Sequence, residues 1–144
     1  MQPPIKKIVM QKYETGNVRV TLEAHVDDDG SLNLEGYDIG DFVEKHWGDS
    51  DYEYFLFVKK ENKEKILPLL LKDRFGSMSE FQKWLDEEAI PSAPAPDFEA
   101  FLAANPEYND TILLLLLQEQ FQTMSNFMTW LDERNIPKEF GSWA

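Results

Sequence analysis

The sequence predicts an α+β fold in which a four-stranded, mainly antiparallel sheet is followed by two tandem copies of one helical hairpin. Apolar and polar residues alternate with period two through much of residues 5 to 58, which is typical of strands with one buried face. Residues 66 to 91 recur without a gap as residues 112 to 137, with fifteen of 26 aligned positions identical. Typical composition would give roughly two identities by chance, which indicates an internal duplication. The length favours a single α+β domain over residues 1 to 144.

The first three strands are predicted to form an antiparallel meander. Residues 5 to 13 make the first strand, and residues 14 to 17 supply a turn before the second. An acidic turn at residues 27 to 31 then leads to a short third strand that contains Leu32 and Leu34. The second strand has the clearest pattern, because one of its faces consists of Val18, Val20, Leu22, Ala24 and Val26.

A helix and a fourth strand complete the predicted sheet region. Asp38 is a suitable N-cap for a helix over residues 38 to 47, where apolar residues recur at helical spacing and Gly48 follows as a stop. Residues 52 to 58 are aromatic or β-branched at both alternating positions. This composition predicts a strand that is buried on both sides or flanked by neighbouring strands.

Each copy of the duplicated segment, residues 66 to 91 and residues 112 to 137, is predicted to form two helices that turn at Phe75 or Phe121. In the second helix of each copy, a stripe of Phe, Trp and Leu recurs at helical spacing, which favours burial in the core. We therefore expect Trp84 and Trp130 to face inward. The stripes consist of Phe81, Trp84 and Leu85 in the first copy and of Phe127, Trp130 and Leu131 in the second.

The segments around the copies have separate roles. Residues 92 to 96 form a Pro- and Ala-containing linker, and residues 138 to 144 form an aromatic tail that is predicted to dock on the second hairpin. Residues 97 to 102 match residues 51 to 56 in part, yet the spacing of their apolar residues predicts a short helix rather than a strand. Two helix pairs are too few for a solenoid, which favours two hairpins packed on a sheet.

The charge of the chain excludes several function classes. Fourteen Lys and Arg against 27 Asp and Glu give a net charge of −13 and a pI near 4.4. Such a surface repels phosphate, so neither nucleic acid nor an anionic membrane is an expected partner, and a DNA-reading helix-turn-helix is disfavoured. Cysteine is absent, and the sequence shows neither a signal-peptide pattern nor an apolar run of membrane-spanning length. We expect a soluble, cytoplasmic protein.

The first function hypothesis is a protein interaction module that binds a basic partner. A strongly negative surface steers association with targets rich in Lys and Arg. One concrete version is a bacterial immunity-type protein that inhibits a basic toxin such as a nuclease, and the alternative is that the acidity serves solubility alone. The repeated Trp-Leu-Asp-Glu sequence predicts two similar acidic edges as the partner-binding residues, namely Asp86, Glu87, Asp132 and Glu133.

The alternative hypothesis is an enzyme or a small-ligand protein with a pocket between the sheet and one hairpin. Asp49, Asp51 and Glu53 would lie near its mouth, where alternation along a strand sets Asp51 and Glu53 on one face. This spacing is compatible with weak divalent-cation binding, although a solvated strand entry is the favoured interpretation. Neither histidine has a recognisable nucleophile partner, and no nucleotide-binding or hydrolase motif is present. We therefore expect no cofactor and favour a protein without catalytic activity.

A third possibility is a homodimer. Six consecutive apolar residues begin at Ile112 and end at Leu117, which leaves this predicted helix without a polar side for solvent. A second copy of the chain could cover part of it.

Overall fold

A computed structural model describes residues 3 to 15, 18 to 39 and 51 to 143, and it has an α+β fold. One antiparallel sheet has the strand order β1-β2-β3-β4-β5, so each strand pairs with its neighbour in the chain. The strands are β1 Lys7–Thr15, β2 Val18–Val26, β3 Leu32–Ile39, β4 Asp51–Val58 and β5 Glu139–Trp143.

The sheet has five strands where four are predicted. The additional strand is β5, which is formed by the aromatic tail and pairs with β4 in the register Phe55 to Gly141 and Leu56 to Phe140. The tail has only five paired residues and one glycine, so local alternation is too short to indicate a strand. Its extended conformation depends on the free edge of β4, which supplies its backbone hydrogen bonds.

The helix predicted over residues 38 to 47 does not begin at Asp38. Asp38 and Ile39 are the last residues of β3 and pair with Tyr52 and Asp51 of β4. Residues 40 to 47 lie outside the described residues. The cap interpretation of Asp38 is wrong, because Asp38 and Ile39 are strand residues paired with β4.

Five α-helices and one short 3-10 helix occur within the described ranges. Two helices, α1 and α2, belong to the first copy, and two others, α4 and α5, belong to the second. The short helix α3 lies between the copies. The bounds are α1 Lys60–Arg74, α2 Met78–Glu87, α3 Phe98–Ala104, α4 Asn109–Gln120 and α5 Met124–Glu133, with the 3-10 helix at Pro106–Tyr108.

The two copies share their helix caps and the spacing of their aromatic rings. Ser77 caps α2 by accepting a hydrogen bond from the Glu80 amide at 3.2 Å, and Thr123 caps α5 by accepting one from the Asn126 amide at 3.1 Å. The ring centroids also match. In the first copy the distances Phe75 to Phe81 and Phe81 to Trp84 are 5.1 and 6.2 Å, and the corresponding pairs in the second copy are also 5.1 and 6.2 Å apart: Phe121 to Phe127 and Phe127 to Trp130.

The helices pack on one face of the sheet and close a continuous core. Helix α4 lies at its centre, and it contacts both β1 and α1. Five of its residues from Ile112 to Leu117 are buried and Leu115 is half-buried, so the chain itself covers the apolar run. The reason for expecting a homodimer through this helix is thereby removed. The sheet contributes Leu22, Ala24, Val26, Leu32, Leu34, Leu56 and Val58 to this core.

Polar contacts hold the two hairpins and the N-terminal segment together. The carboxylate of Asp110 lies 2.8 Å from Nζ of the buried Lys63 and 2.6 Å from Nζ of Lys6. Arg74 of α1 pairs with Glu119 of α4 at 2.9 Å. These contacts join the first hairpin, the second hairpin and the start of β1.

The segments that match only in part differ in conformation, as predicted. Residues 51 to 58 form β4, whereas the aligned residues 97 to 104 include Asp97 as the cap of helix α3. The linker is anchored as well, because the Asn105 side chain accepts a hydrogen bond from the Ala93 amide at 2.8 Å and donates one to its carbonyl oxygen at 3.2 Å. No helix in the described ranges is long and apolar enough to cross a membrane.

Candidate functional site

The second face of the sheet, which points away from the helices, is the first candidate site, and we call it the open face. Alternation along each strand places one set of side chains in the core and the other set here. None of the open-face side chains that the structure describes is buried. The central members of this face are Thr21, Glu23, His25, Asn33, Glu35, Tyr37, Glu53, Phe55 and Phe57.

A shallow groove of about 570 Å³ crosses the middle of the open face. Strand pairing aligns Thr21, Tyr37 and Glu53 in one row across the sheet. Glu23, Glu35 and Phe55 form the adjacent row, since Glu23 pairs with Glu35 and Glu35 pairs with Phe55. The groove therefore combines three carboxylates with two aromatic rings.

The charges in this groove are only partly compensated. Glu23 and Glu35 are directly opposite each other on β2 and β3, an arrangement in which like charges destabilise a sheet. Lys7 lies 3.2 Å from Glu23 and offsets one of them. For Glu35, which is exposed, and Glu53, which is half-buried, no cationic group of the described residues lies within 4.0 Å. Among the described residues, two of the three groove carboxylates therefore have no cationic partner.

Phe55 is held in the groove by a glycine on the next strand. Its ring lies across Gly141 of β5, where an added Cβ atom would lie 2.3 Å from Cζ of the ring. A larger residue at position 141 would displace the ring. The fifth strand thus shapes the open face, although sequence alternation alone does not indicate it.

Of the predicted ligand residues Asp49, Asp51 and Glu53, the structure describes the side-chain position of Glu53 alone. Glu53 lines the open-face groove and so lies on the opposite side of the sheet from the hairpins. Asp51 begins β4, where it pairs with Ile39, and Asp49 lies outside the described residues. Among the residues with described positions, no three His, Asp or Glu side chains are arranged to hold a metal ion.

The two predicted acidic edges differ in how far they are neutralised. In the second copy, Asp132 forms an ion pair with Lys138, and Glu133 lies 3.7 Å from Arg134. In the first copy, Asp86 is exposed and accepts a hydrogen bond from Gln82 at 3.1 Å, and Glu87 is exposed at the last position of α2. The difference follows from the sequence, because Arg134 replaces Glu88 of the first copy. The first edge is the more negative of the two.

A second candidate site lies between the sheet and the start of α5, and we call it the sheet–α5 cleft. It has a volume of about 450 Å³. Asp38 and Tyr54 line it from β3 and β4, and Phe140 lines it from β5, half exposed at 50%. Helix α5 and its cap contribute Thr123, Met124, Ser125 and Met128.

Asp38 is the polar centre of this cleft. Its Oδ1 accepts a hydrogen bond from the Tyr54 hydroxyl at 3.1 Å. Burial raises the pKa of the Asp38 carboxyl, and the Tyr54 hydrogen bond only partly opposes this shift. The Tyr54 ring lies across Gly36, where an added Cβ atom would be 1.9 Å from Cε2. Sequence reasoning missed this site, although Asp38 continues the alternation of Leu32, Leu34 and Gly36 toward the core.

Comparisons of this chain with protein-family models, with curated proteins and with solved structures find no match.

Proposed function

We propose that the protein is an interaction module that binds a basic partner protein through the open face of its sheet. The observation that carries the proposal is the pair Glu35 and Glu53, two carboxylates beside aromatic rings that no described cation neutralises. One form of this function is an immunity-type or inhibitor-like protein that blocks a basic toxin such as a nuclease. Guanidinium and ammonium groups of the partner would compensate the groove.

The energetics of the open face support this proposal. The opposed carboxylates of Glu23 and Glu35 disfavour folding, so their presence in one row favours a role other than stability. Aromatic residues are enriched in protein interfaces, and Tyr37 and Phe55 lie beside the carboxylates. A net charge of −13 would also accelerate encounter with a cationic target.

The acidic edge of the first copy, Asp86 with Glu87, has a separate role in this proposal. It belongs to the hairpins rather than to the open face, and the corresponding residues Asp132 and Glu133 are more neutralised. We assign the edges a role in steering rather than in the contact itself, because exposed charges at a rim mainly change association rates. The buried position of α4 means that the proposal involves no homodimer.

The test compares two variants of equal charge. Glu35→Gln with Glu53→Gln removes the groove carboxylates, and the control Glu61→Gln with Glu64→Gln removes two exposed carboxylates of α1. Each tagged protein is used to capture partners from a native lysate, with identification by mass spectrometry and measurement of Kd at increasing salt. We expect a basic protein to be captured by the wild type and the control, and its affinity to fall about tenfold or more in the groove variant.

Equal capture by the groove variant and the wild type would contradict the open-face site. A further variant, Asp86→Asn with Glu87→Gln, separates the two regions: loss of binding in this variant alone would assign the contact to the acidic edge. A partner whose affinity does not change with salt would contradict the electrostatic basis. If the partner is a toxin, its activity should be inhibited at stoichiometric amounts of the wild-type protein.

A small-ligand or enzymatic function is the second candidate. The open-face groove has a volume within the usual range of ligand sites, and Glu53 lines it. Thermal-shift measurements against metal ions and metabolites test this function. Stabilisation that Asp51→Ala abolishes would support a ligand site formed by Asp49, Asp51 and Glu53, whereas no stabilisation by any compound would favour the interaction module.

We also infer that the two hairpins arose by duplication of one unit. The fifteen identities in 26 positions and the matched ring distances of the two Phe-Trp clusters support this inference. The shared geometry of the two copies can be tested by substitution at the position where they differ. Glu88→Arg should create in the first copy the contact with Trp84 that Arg134 makes with Trp130.

A further inference from the structure

We infer that the sheet–α5 cleft binds an ammonium group carried on a short apolar stem. The cleft brings together one carboxylate, that of Asp38, and an apolar lining in a volume of about 450 Å³. This inference concerns the face of the sheet that the proposed partner site does not use. It is therefore independent of the proposed function.

The carboxylate of Asp38 has unused hydrogen-bonding capacity. An ionised carboxylate offers about four lone-pair positions, and Tyr54 donates to Oδ1. No described Lys, Arg or His lies within 4.0 Å of Asp38 as an ion-pair partner. A half-buried carboxylate without a cation is costly to keep ionised, and a ligand ammonium would compensate it.

The lining of the cleft suits the rest of such a ligand. Met124 is buried, Met128 is half-buried and the Phe140 ring is half exposed beside them. Thioether and aromatic groups are polarisable and pack against an apolar stem, and an aromatic face also attracts an ammonium group. Asp38 would bind the charge, and Phe140 with Met128 would bind the stem.

The start of α5 limits where the charge can lie. The N-terminal turn of a helix has a positive potential, which disfavours a cation near Thr123 and Ser125. This potential instead favours the carboxylate of Asp38 across the cleft. We therefore place the ammonium on the sheet side, between Asp38 and Phe140, with the stem directed along Met128.

Two sources could supply this group: a free organic amine, or a lysine side chain of a bound protein. The experiment uses the full chain with ¹³C-labelled methionine methyl groups and follows the Met124 and Met128 signals by NMR. The probes are phenethylammonium, its neutral counterpart phenethyl alcohol, its anionic counterpart hydrocinnamate, and a short lysine-containing peptide. Leucine substitutions at Met124 and at Met128 assign the two signals.

We expect phenethylammonium or the lysine peptide to shift both methyl signals in a saturable way, and the alcohol and hydrocinnamate to bind at least about tenfold more weakly. Tighter binding of the amine assigns a free amine as the source, and tighter binding of the peptide assigns a lysine side chain. Asp38→Asn should weaken binding of the cation about tenfold or more and leave binding of the alcohol unchanged.

Glu64→Gln is the matched control, because it removes one exposed carboxylate and the same charge from α1, outside the residues that line the cleft; it should bind as the wild type does. Met128→Ala provides a second variant that keeps Asp38, and it should weaken phenethylammonium more than methylammonium. The inference is overturned if neither cationic probe shifts the methyl signals, if Asp38→Asn binds phenethylammonium with wild-type affinity, or if the alcohol binds as tightly as the amine.

Discussion

At the scale of single residues, Asp110 is the clearest example of a side chain whose surroundings stabilise its charge. Burial by itself would raise the pKa of the Asp110 carboxyl, but hydrogen bonds from Lys6 and Lys63 outweigh burial, and the net pKa lies below its usual range. Asp38 shows the opposite balance, because burial raises its pKa and only Tyr54 opposes the shift. The Asp110 carboxylate thus stabilises the fold, whereas burial of the Asp38 carboxylate in the cleft destabilises it.

We expect Asp110→Asn to lower the free energy of unfolding by roughly 1.5 to 3 kcal/mol, the range for hydrogen bonds to charged groups. The variant leaves the buried Lys63 without its carboxylate. Chemical denaturation with urea measures the difference. Asp86→Asn is the control, and a change of the same size there would contradict the specific role of Asp110.

We also expect the difference in unfolding free energy between the wild type and Asp110→Asn to depend on pH. A carboxyl whose pKa is lower in the folded state contributes its stability above its unfolded pKa and loses it as pH falls through the folded pKa. Urea denaturation of the wild type and Asp110→Asn from pH 7 to pH 2 should therefore show a constant difference at neutral pH and a shrinking one below the usual carboxyl range. A difference that grows with acid would contradict the low pKa of Asp110.

At the scale of elements, the two hairpins share their internal geometry but differ in their neighbours. Phe81 contacts Phe101 at 4.9 Å and Phe98 at 5.6 Å between ring centroids, so the first hairpin packs on helix α3. Within the second, Phe127 packs on Phe121 and Trp130. The two copies thus have matching ring distances, and the first copy also has ring contacts with α3.

We expect Phe81→Ala and Phe127→Ala each to cost about 3 to 5 kcal/mol, the range for truncating a buried phenylalanine. Phe81→Ala should in addition increase amide hydrogen exchange in α3, because it removes two ring contacts with that helix. Denaturation and hydrogen exchange measure the two effects. Equal exchange of α3 in both variants would contradict its dependence on the first hairpin.

The open face makes a separate prediction at this scale. Glu35→Gln should raise the free energy of unfolding by about 0.2 to 1 kcal/mol, because it removes the like-charge pair with Glu23. Urea denaturation at low salt measures this gain. Glu64→Gln on α1 should change stability less, and a destabilised Glu35→Gln protein would show that the charge serves the fold.

At the scale of the whole molecule, the charge of −13 acts on both stability and association. The fold places anionic side chains on the open face, at the first acidic edge and on α1. Fourteen basic residues cannot compensate 27 acidic ones. The carboxylates of such a surface are expected to repel one another and to attract cationic targets.

We expect the melting temperature of the protein to rise when monovalent salt increases from about 10 mM to about 150 mM. Over this range the screening length decreases from roughly 30 Å to 8 Å, which weakens repulsion between carboxylates. Differential scanning calorimetry in sodium chloride and in potassium chloride measures the shift. A fall in melting temperature would indicate that attractive ion pairs, such as that of Asp110 with Lys63, dominate.

Much of the fold could be predicted because its signals are local. Alternation predicted the pairing of β1 and β2, and the cap residues Ser77 and Thr123 predicted where α2 and α5 begin. The open-face groove could be predicted only through Glu53, because Glu35 and Phe55 meet across strands. The sheet–α5 cleft was not predicted, since a carboxylate after a short strand is equally suited to capping a helix.

The amino-acid sequence by itself determined the repeated segment, the alternating strands and the acidic charge, because each can be read from the chain without its folded contacts. Only the tertiary structure decided the position of β5, the strand conformation of Asp38 and Ile39, and the burial of α4. Each of these depends on a partner elsewhere in the chain: the edge of β4 for β5, pairing with Tyr52 and Asp51 for Asp38 and Ile39, and α1 with β1 for α4. Both candidate sites belong to this second class, because their side chains come together only when distant strands and helices pack.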